Sequence, residues 1–136
     1  MPVVPGDTFL LTGGRVATPH LWVVLWGPAG EDDAFLVVML TSDRGYTDQT
    51  CILDVGDHPF IRHRTSVDYK VCSQWRAARI QEYINTGVAK PRAQMDAAVL
   101  QRIREGFFRA GRLPNTFLRV AQEEFGVDPP GRDTER

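Results

Sequence analysis

Two nearly continuous apolar runs, Leu21-Trp22-Val23-Val24-Leu25-Trp26 and Ala34-Phe35-Leu36-Val37-Val38-Met39-Leu40, stand on either side of Gly27-Pro28-Ala29-Gly30-Glu31-Asp32-Asp33. Each run is short, rich in Val and aromatic residues, and bounded by turn formers. Runs of this kind read as buried strands, and the polar connector joins them as an antiparallel hairpin at the core of a small β domain. A turn centred near Gly30 and Glu31 sets His20, at the open end of one strand, opposite Thr41 on the other. Residues so paired lie within side-chain reach, which places an imidazole and a hydroxyl together at the mouth of an apolar sheet. The same pair also reads as a plain strand end and turn start, since most lone histidines carry no chemistry.

The flanking segments extend the β pattern. Pro5-Gly6-Asp7 is a turn into a first strand, Thr8 to Thr12. Gly13-Gly14-Arg15 follows as a flexible loop positioned to cover the His20/Thr41 end, with Arg15 a movable cation for a phosphate or a solvated side chain. Thr41 to Gln49 is a loop by composition. Ser42, Arg44 and Tyr46 on it supply a hydroxyl, a guanidinium and a ring of the kind that holds a phosphate and stacks an unpaired base. Thr50 to Val55 reads as a further strand, closed by Gly56-Asp57-His58-Pro59, and Arg62-His63-Arg64 is the one compact basic cluster, read as solvated.

Alternation from Ser66 to Trp75 predicts a half-buried strand with Val67, Tyr69, Val71 and Trp75 on one face. The period then turns helical from about Arg76, and Asn85-Thr86-Gly87 stops that helix. Val88 to Gln94 reads as a linker. Asp96 caps a second helix carrying Val99, Leu100, Ile103 and Phe107, which Gly111 ends. A third helix is expected from Asn115 or Thr116 to Phe125, and residues 127–136 as a disordered tail. Residues 1–126 thus form one domain, mainly β with helices (α+β).

Charge and cysteine usage narrow the function. Lys and Arg total 16 against 17 Asp and Glu, a formal net charge of -1, so no global positive field gathers a polyanion and any nucleic acid has to meet a local patch. Cys51 and Cys72 lie in no CxxC pattern and follow no signal-peptide pattern, which predicts reduced thiols and a cytoplasmic location. His20, His58 and His63 fall at no metal-ligand spacing, so no metal or other cofactor is expected. No apolar run approaches the roughly 20 residues that span a bilayer.

The order of these features resembles the PemK/MazF family of bacterial toxins. The resemblance rests on Pro5-Gly6-Asp7, on Leu21-Trp22-Val23-Val24-Leu25 leading out of a loop, on Val37-Val38-Met39-Leu40-Thr41-Ser42, and on Arg64-Thr65-Ser66-Val67. It runs from about Pro5 to Arg109. It implies an SH3-like, partly open β barrel of about five strands with C-terminal helices, forming a homodimer bound by an antitoxin protein. The implied activity is that of a type II toxin–antitoxin toxin, a metal-independent endoribonuclease in which a ribose 2′-hydroxyl of single-stranded RNA attacks the adjacent phosphate. The family uses an Arg at the start of the second strand and a Thr at the end of the third. The Thr falls on Thr41, and the Arg is replaced by His20.

That replacement opens two readings. Histidine moves protons near neutral pH, whereas arginine does not give up its proton, so His20 can act as the base while Arg15 and Arg44 hold the phosphate and Tyr46 or Trp22 stacks a base. The other reading is a noncatalytic SH3-like module that binds a protein partner. The first requires an open, locally positive pocket at His20 and Thr41, and the second an exposed apolar patch elsewhere.

Overall fold

The two apolar runs pair as an antiparallel hairpin, β2 (Val16–Ala29) with β3 (Ala34–Ser42). The computed structural model that shows this describes residues 2–13 and 16–128. The pair Ala29↔Ala34 closes the hairpin, so its tight turn is Gly30 to Asp33, later than the sequence reading put it. Two irregularities between Val24 and Ala29 then shift the pairing, and beyond them the partners are Val23↔Val38 and Trp22↔Met39. Extending that register by two residues sets His20 across from Thr41. Gly27 lies inside this irregular stretch at φ +135°, and a Cβ on it would lie 2.8 Å from the Ala34 carbonyl oxygen, a close approach that only glycine permits.

Four more strands complete one antiparallel sheet: β1 (Thr8–Gly13), β4 (Ile52–Leu53), β5 (Thr65–Arg76) and β6 (Ala89–Arg92), in the order β4-β5-β3-β2-β1-β6. The sheet curls into a half-barrel, and the fold is α+β with three helices, α1 (Ala77–Asn85), α2 (Ala97–Phe107) and α3 (Asn115–Glu123). There are six strands rather than about five, because the expected linker supplies β6. Pro91 is tolerated there since β6 is an edge strand, paired on one side only, with β1.

Both faces of the hairpin are buried, which is why its strands read as continuous apolar runs instead of alternating ones. On the inner face Leu21, Val23, Leu36, Val38 and Leu40 join Val67 and Tyr69 of β5 and pack against Val99, Leu100, Ile103 and Phe107 of α2. On the outer face Val24, Phe35 and Val37 join Phe9 of β1 and meet Ile80 of α1. Asp96 caps α2 by accepting from the Ala98 N–H at 3.1 Å, and the Tyr69 hydroxyl donates to the Ile103 carbonyl at 2.7 Å. Gly106 lets α2 approach β5, since a Cβ there would stand 3.1 Å from Tyr69 Cζ and 3.2 Å from Cys51 Cβ. Cys51 and Cys72 are free and buried, and burial pushes the Cys72 thiol up to about 12.

Several sequence boundaries move. The expected strand from Thr50 to Val55 shrinks to Ile52–Leu53, because the carboxylates of Asp48, Asp57 and Asp54 take the N–H groups of Thr50, Asp54 and Val55. The expected face of Val67, Tyr69, Val71 and Trp75 is broken by a shift in the β3–β5 pairing between Asp68 and Ser73. Cys72 takes the inner position after Tyr69, and Trp75 turns to the outer core. Helix α2 ends at Phe107 rather than near Gly111, its last turn tightened by an Arg109 N–H to Gly106 carbonyl bond at 3.0 Å. Helix α3 stops at Glu123, short of Phe125. Gly14, Arg15 and the tail from 129 to 136 lie outside the described residues. Among the described residues no helix is long and apolar enough to cross a membrane.

Candidate functional site

The open end of the hairpin faces a cleft of about 590 Å³. Three segments wall it: the start of β2 with the end of β3, the connection between β4 and β5, and the C-terminal end of β6. Its floor is apolar, with Leu21, Leu40 and Ile61 buried beneath it. Its ionisable lining consists of His20, His58, His63, Arg62 and Arg92, with no carboxylate among the described lining residues. All three histidines of the chain therefore converge here, in a protein whose net charge is -1.

Each histidine is held differently. His20 is half-buried, and its Nδ1 lies 3.2 Å from the Leu40 carbonyl oxygen. A carbonyl only accepts, so this contact assigns a proton to Nδ1, and in the neutral ring the acceptor is Nε2, which has no hydrogen-bond partner among the described residues. Thr41 follows Leu40 on the same strand, half-buried beside it. Ser42 comes next, with its Oγ 2.8 Å from Nε2 of the exposed His63. His58 is only 3% exposed. Its Nδ1 accepts from the Phe60 N–H at 3.0 Å and its Nε2–H donates to the Ala93 carbonyl at 2.6 Å, an oxygen that also accepts from the Thr8 hydroxyl at 2.7 Å. Both ring nitrogens of His58 are thus committed to tying the β4–β5 connection to β1 and β6.

The loop after Ser42 is folded around one carboxylate. Asp43 accepts from the Gly45 N–H at 3.0 Å, from the Gln49 amide at 2.8 Å and from the Thr47 hydroxyl at 2.9 Å, and it pairs with Arg64 at 3.3 Å. The Gly45 backbone donor, then Gln49 and Thr47, hold its carboxyl well below the usual carboxylate range. This arrangement fixes the end of β3 and uses the charge of Arg64. It also turns Arg44 and Tyr46 outward. Tyr46 is 74% exposed, with its carbonyl accepting from Arg112 at 3.0 Å, and neither residue lines the cleft. Trp22 packs on Trp75 with centroids 4.9 Å apart and the rings tilted by 41°, against the outer core rather than the cleft. Arg15 lies outside the described residues.

Of the residues singled out in the sequence, the structure brings His20, Thr41 and Ser42 together. It adds His63 and Arg62, from the basic cluster that reads as solvated in the sequence, and Arg92 and Phe60, to which the sequence assigns no part in a site. One signal for them was present: His58-Pro59 and Arg62-His63-Arg64 all fall in the single connection between two strands, and the linker-like Lys90-Pro91-Arg92 is a strand that ends at the same place. Among the described residues no group of His, Cys, Asp and Glu is arranged to hold a metal ion.

Chemically, the cleft offers an imidazole nitrogen with no partner among the described residues, two hydroxyls on successive residues, two guanidiniums and an apolar floor. Guanidiniums and hydroxyls suit a phosphate, an imidazole suits proton transfer near neutral pH, and apolar surface suits a base or ring. No protein-family model, no curated protein and no solved structure matches the chain.

Proposed function

We propose that this protein is a metal-independent endoribonuclease that cleaves single-stranded RNA in the His20/Thr41 cleft. On this reading the half-barrel is of the SH3-like kind and the chain is the toxin of a type II toxin–antitoxin pair, a cytoplasmic homodimer whose partner is an antitoxin protein. One observation carries it: in a chain of net charge -1, the cleft's ionisable lining is wholly histidine and arginine, with a proton-accepting His20 nitrogen beside Thr41. A local cationic patch is what a polyanion requires of such a chain, since phosphate contacts dominate nucleic-acid affinity.

The steps follow from the groups present. Arg62 and Arg92 gather the phosphate, and the hydroxyls of Thr41 and Ser42 orient its non-bridging oxygens. The Nε2 of His20 takes the proton of the ribose 2′-hydroxyl as that oxygen attacks the adjacent phosphorus. RNA supplies its own nucleophile, so the protein has only to position, neutralise and move protons. Phe60, 41% exposed at the rim, offers a stacking surface for a base. Arg44 and Tyr46, which do not line the cleft, serve the flanking nucleotides rather than the scissile one.

Induced expression of the wild-type chain beside His20→Ala and Thr41→Ala tests this, with growth, RNA integrity and the thermal melt of each variant recorded. The wild type arrests growth and fragments RNA, the purified protein cuts single-stranded RNA in excess chelator, and both folded variants lose these effects. Intact RNA and unimpaired growth with all three chains would assign the barrel to a noncatalytic binding module instead.

A further inference from the structure

The basic cluster Arg62-His63-Arg64 has a use that a solvated surface would not give it. We infer that His63 is a second catalytic residue of the cleft, the general acid that protonates the leaving 5′-oxygen, so that cleavage runs on a pair of histidines; this rests on the ribonuclease reading above. The strand β3 supplies the geometry. The Leu40 carbonyl holds His20, the Ser42 hydroxyl holds His63, and Thr41 lies between them. The two anchoring residues, Leu40 and Ser42, are spaced by about 7 Å along the strand. A base and an acid that each hydrogen-bond, at about 2.8 Å, to one apical oxygen of the same in-line phosphorus require a separation of this order.

The two imidazoles also differ in the way the roles demand. His20 is half-buried, with Nδ1–H spent on a carbonyl and Nε2 left as acceptor. His63 is exposed, and in its protonated form Nε2–H donates to Ser42 Oγ while Nδ1–H has no partner among the described residues. The charged groups facing His63 are Arg62 and Arg64, which flank it, and Asp43 just beyond β3, which is paired with Arg64. Arg92 of β6 and the neutral, doubly bonded His58 share the cleft with His20. In the reaction the O2′–P bond forms as His20 takes the 2′ proton, and the P–O5′ bond breaks as His63 delivers its proton to O5′. The products are a 2′,3′-cyclic phosphate and a 5′-hydroxyl, with no other reactant. Ser42 is the positioning residue of His63.

The test uses the purified full chain on two single-stranded RNAs, one ordinary and one with sulfur replacing the bridging 5′-oxygen, a leaving group that departs without a proton. On ordinary RNA His20→Ala and His63→Ala each slow cleavage about 10²–10⁴-fold. On the sulfur substrate His63→Ala returns to within about tenfold of wild type, while His20→Ala stays slow. The wild-type rate against pH is bell-shaped, and His63→Ala removes its alkaline limb. Should the alanine variant fail to fold, His63→Gln, which keeps a partner for Ser42 but carries no ionisable proton, gives the same pattern. A wild type that cleaves RNA while the His63 variants keep its rate, or lose rate equally on both substrates with both limbs intact, overturns the acid role and leaves the ribonuclease standing. A wild type that cleaves neither RNA overturns both.

Discussion

Two histidines in the same connection between β4 and β5 have opposite fates. His58 is buried with both ring nitrogens bonded to backbone, and His63 is exposed with one nitrogen on a serine hydroxyl. Five residues of sequence separate them, and both line one cleft. What distinguishes a structural imidazole from one open to a ligand here is the number of ring nitrogens the fold has already used. A buried ring whose donor and acceptor are both satisfied cross-links the elements it touches, because breaking it leaves unpaired polar groups away from water. A ring with an unused nitrogen facing a cleft can exchange a proton with a ligand.

That contrast can be broken most severely at the reactive end. On the proposed ribonuclease reading, His20→Ala is expected to lower RNA cleavage about 10²–10⁴-fold with its thermal melt close to wild type, since the half-buried ring makes only one backbone bond. His58→Ala is expected to do the reverse in kind, losing about 2–4 kcal/mol of stability in urea unfolding, because it removes a packed ring and strands the Phe60 N–H. A His58→Ala protein as stable as wild type would show that the two rings are not different after all.

Asp43 sharpens the same comparison on the far side of Ser42. Its folded carboxyl titrates below the range of an unfolded aspartate, so its contribution to stability is fully present above about pH 4 and is lost as the pH falls below that. Asp43→Asn should therefore be less stable than wild type near pH 6, with the gap narrowing as the solution is acidified, as read from urea midpoints across the acid range. A gap that stays constant with pH would mean that the loop is held by shape and not by the charge. The smallest effect belongs to the residues that the folded loop turns outward. If the protein cleaves RNA as proposed, Arg44→Ala and Tyr46→Ala are each expected to change the cleavage rate of a short RNA by less than about threefold, since neither lines the cleft.

The hairpin was legible because its two runs are apolar on both faces, and only burial on both faces of a sheet makes that pattern stable. His20 and Thr41 were legible for a less secure reason. The turn reading was displaced from the true one, and the pairing irregularities around Trp26 and Gly27 brought the register back before it reached the cleft. The slip in β5 had no such compensation, so the expected inner face failed from Val71 onward and Cys72 took the place of its neighbour. Bulges of this kind depend on which backbone approaches which, as at Gly27 beside Ala34, and local pattern does not carry that information.

By itself the sequence determined the strands of the core, the capped amphipathic helix on Asp96, and the absence of any overall positive field, because burial, capping and net charge depend on residue type and local spacing. The convergence of all three histidines with Arg62 and Arg92 was decided by the tertiary structure alone. It joins the start of β2, a connection some forty residues later and an edge strand that reads as a linker. No local period links such segments. Curling the sheet so that its ends meet is a property of strand order and twist, and it is there that side chains with no common pattern become one site.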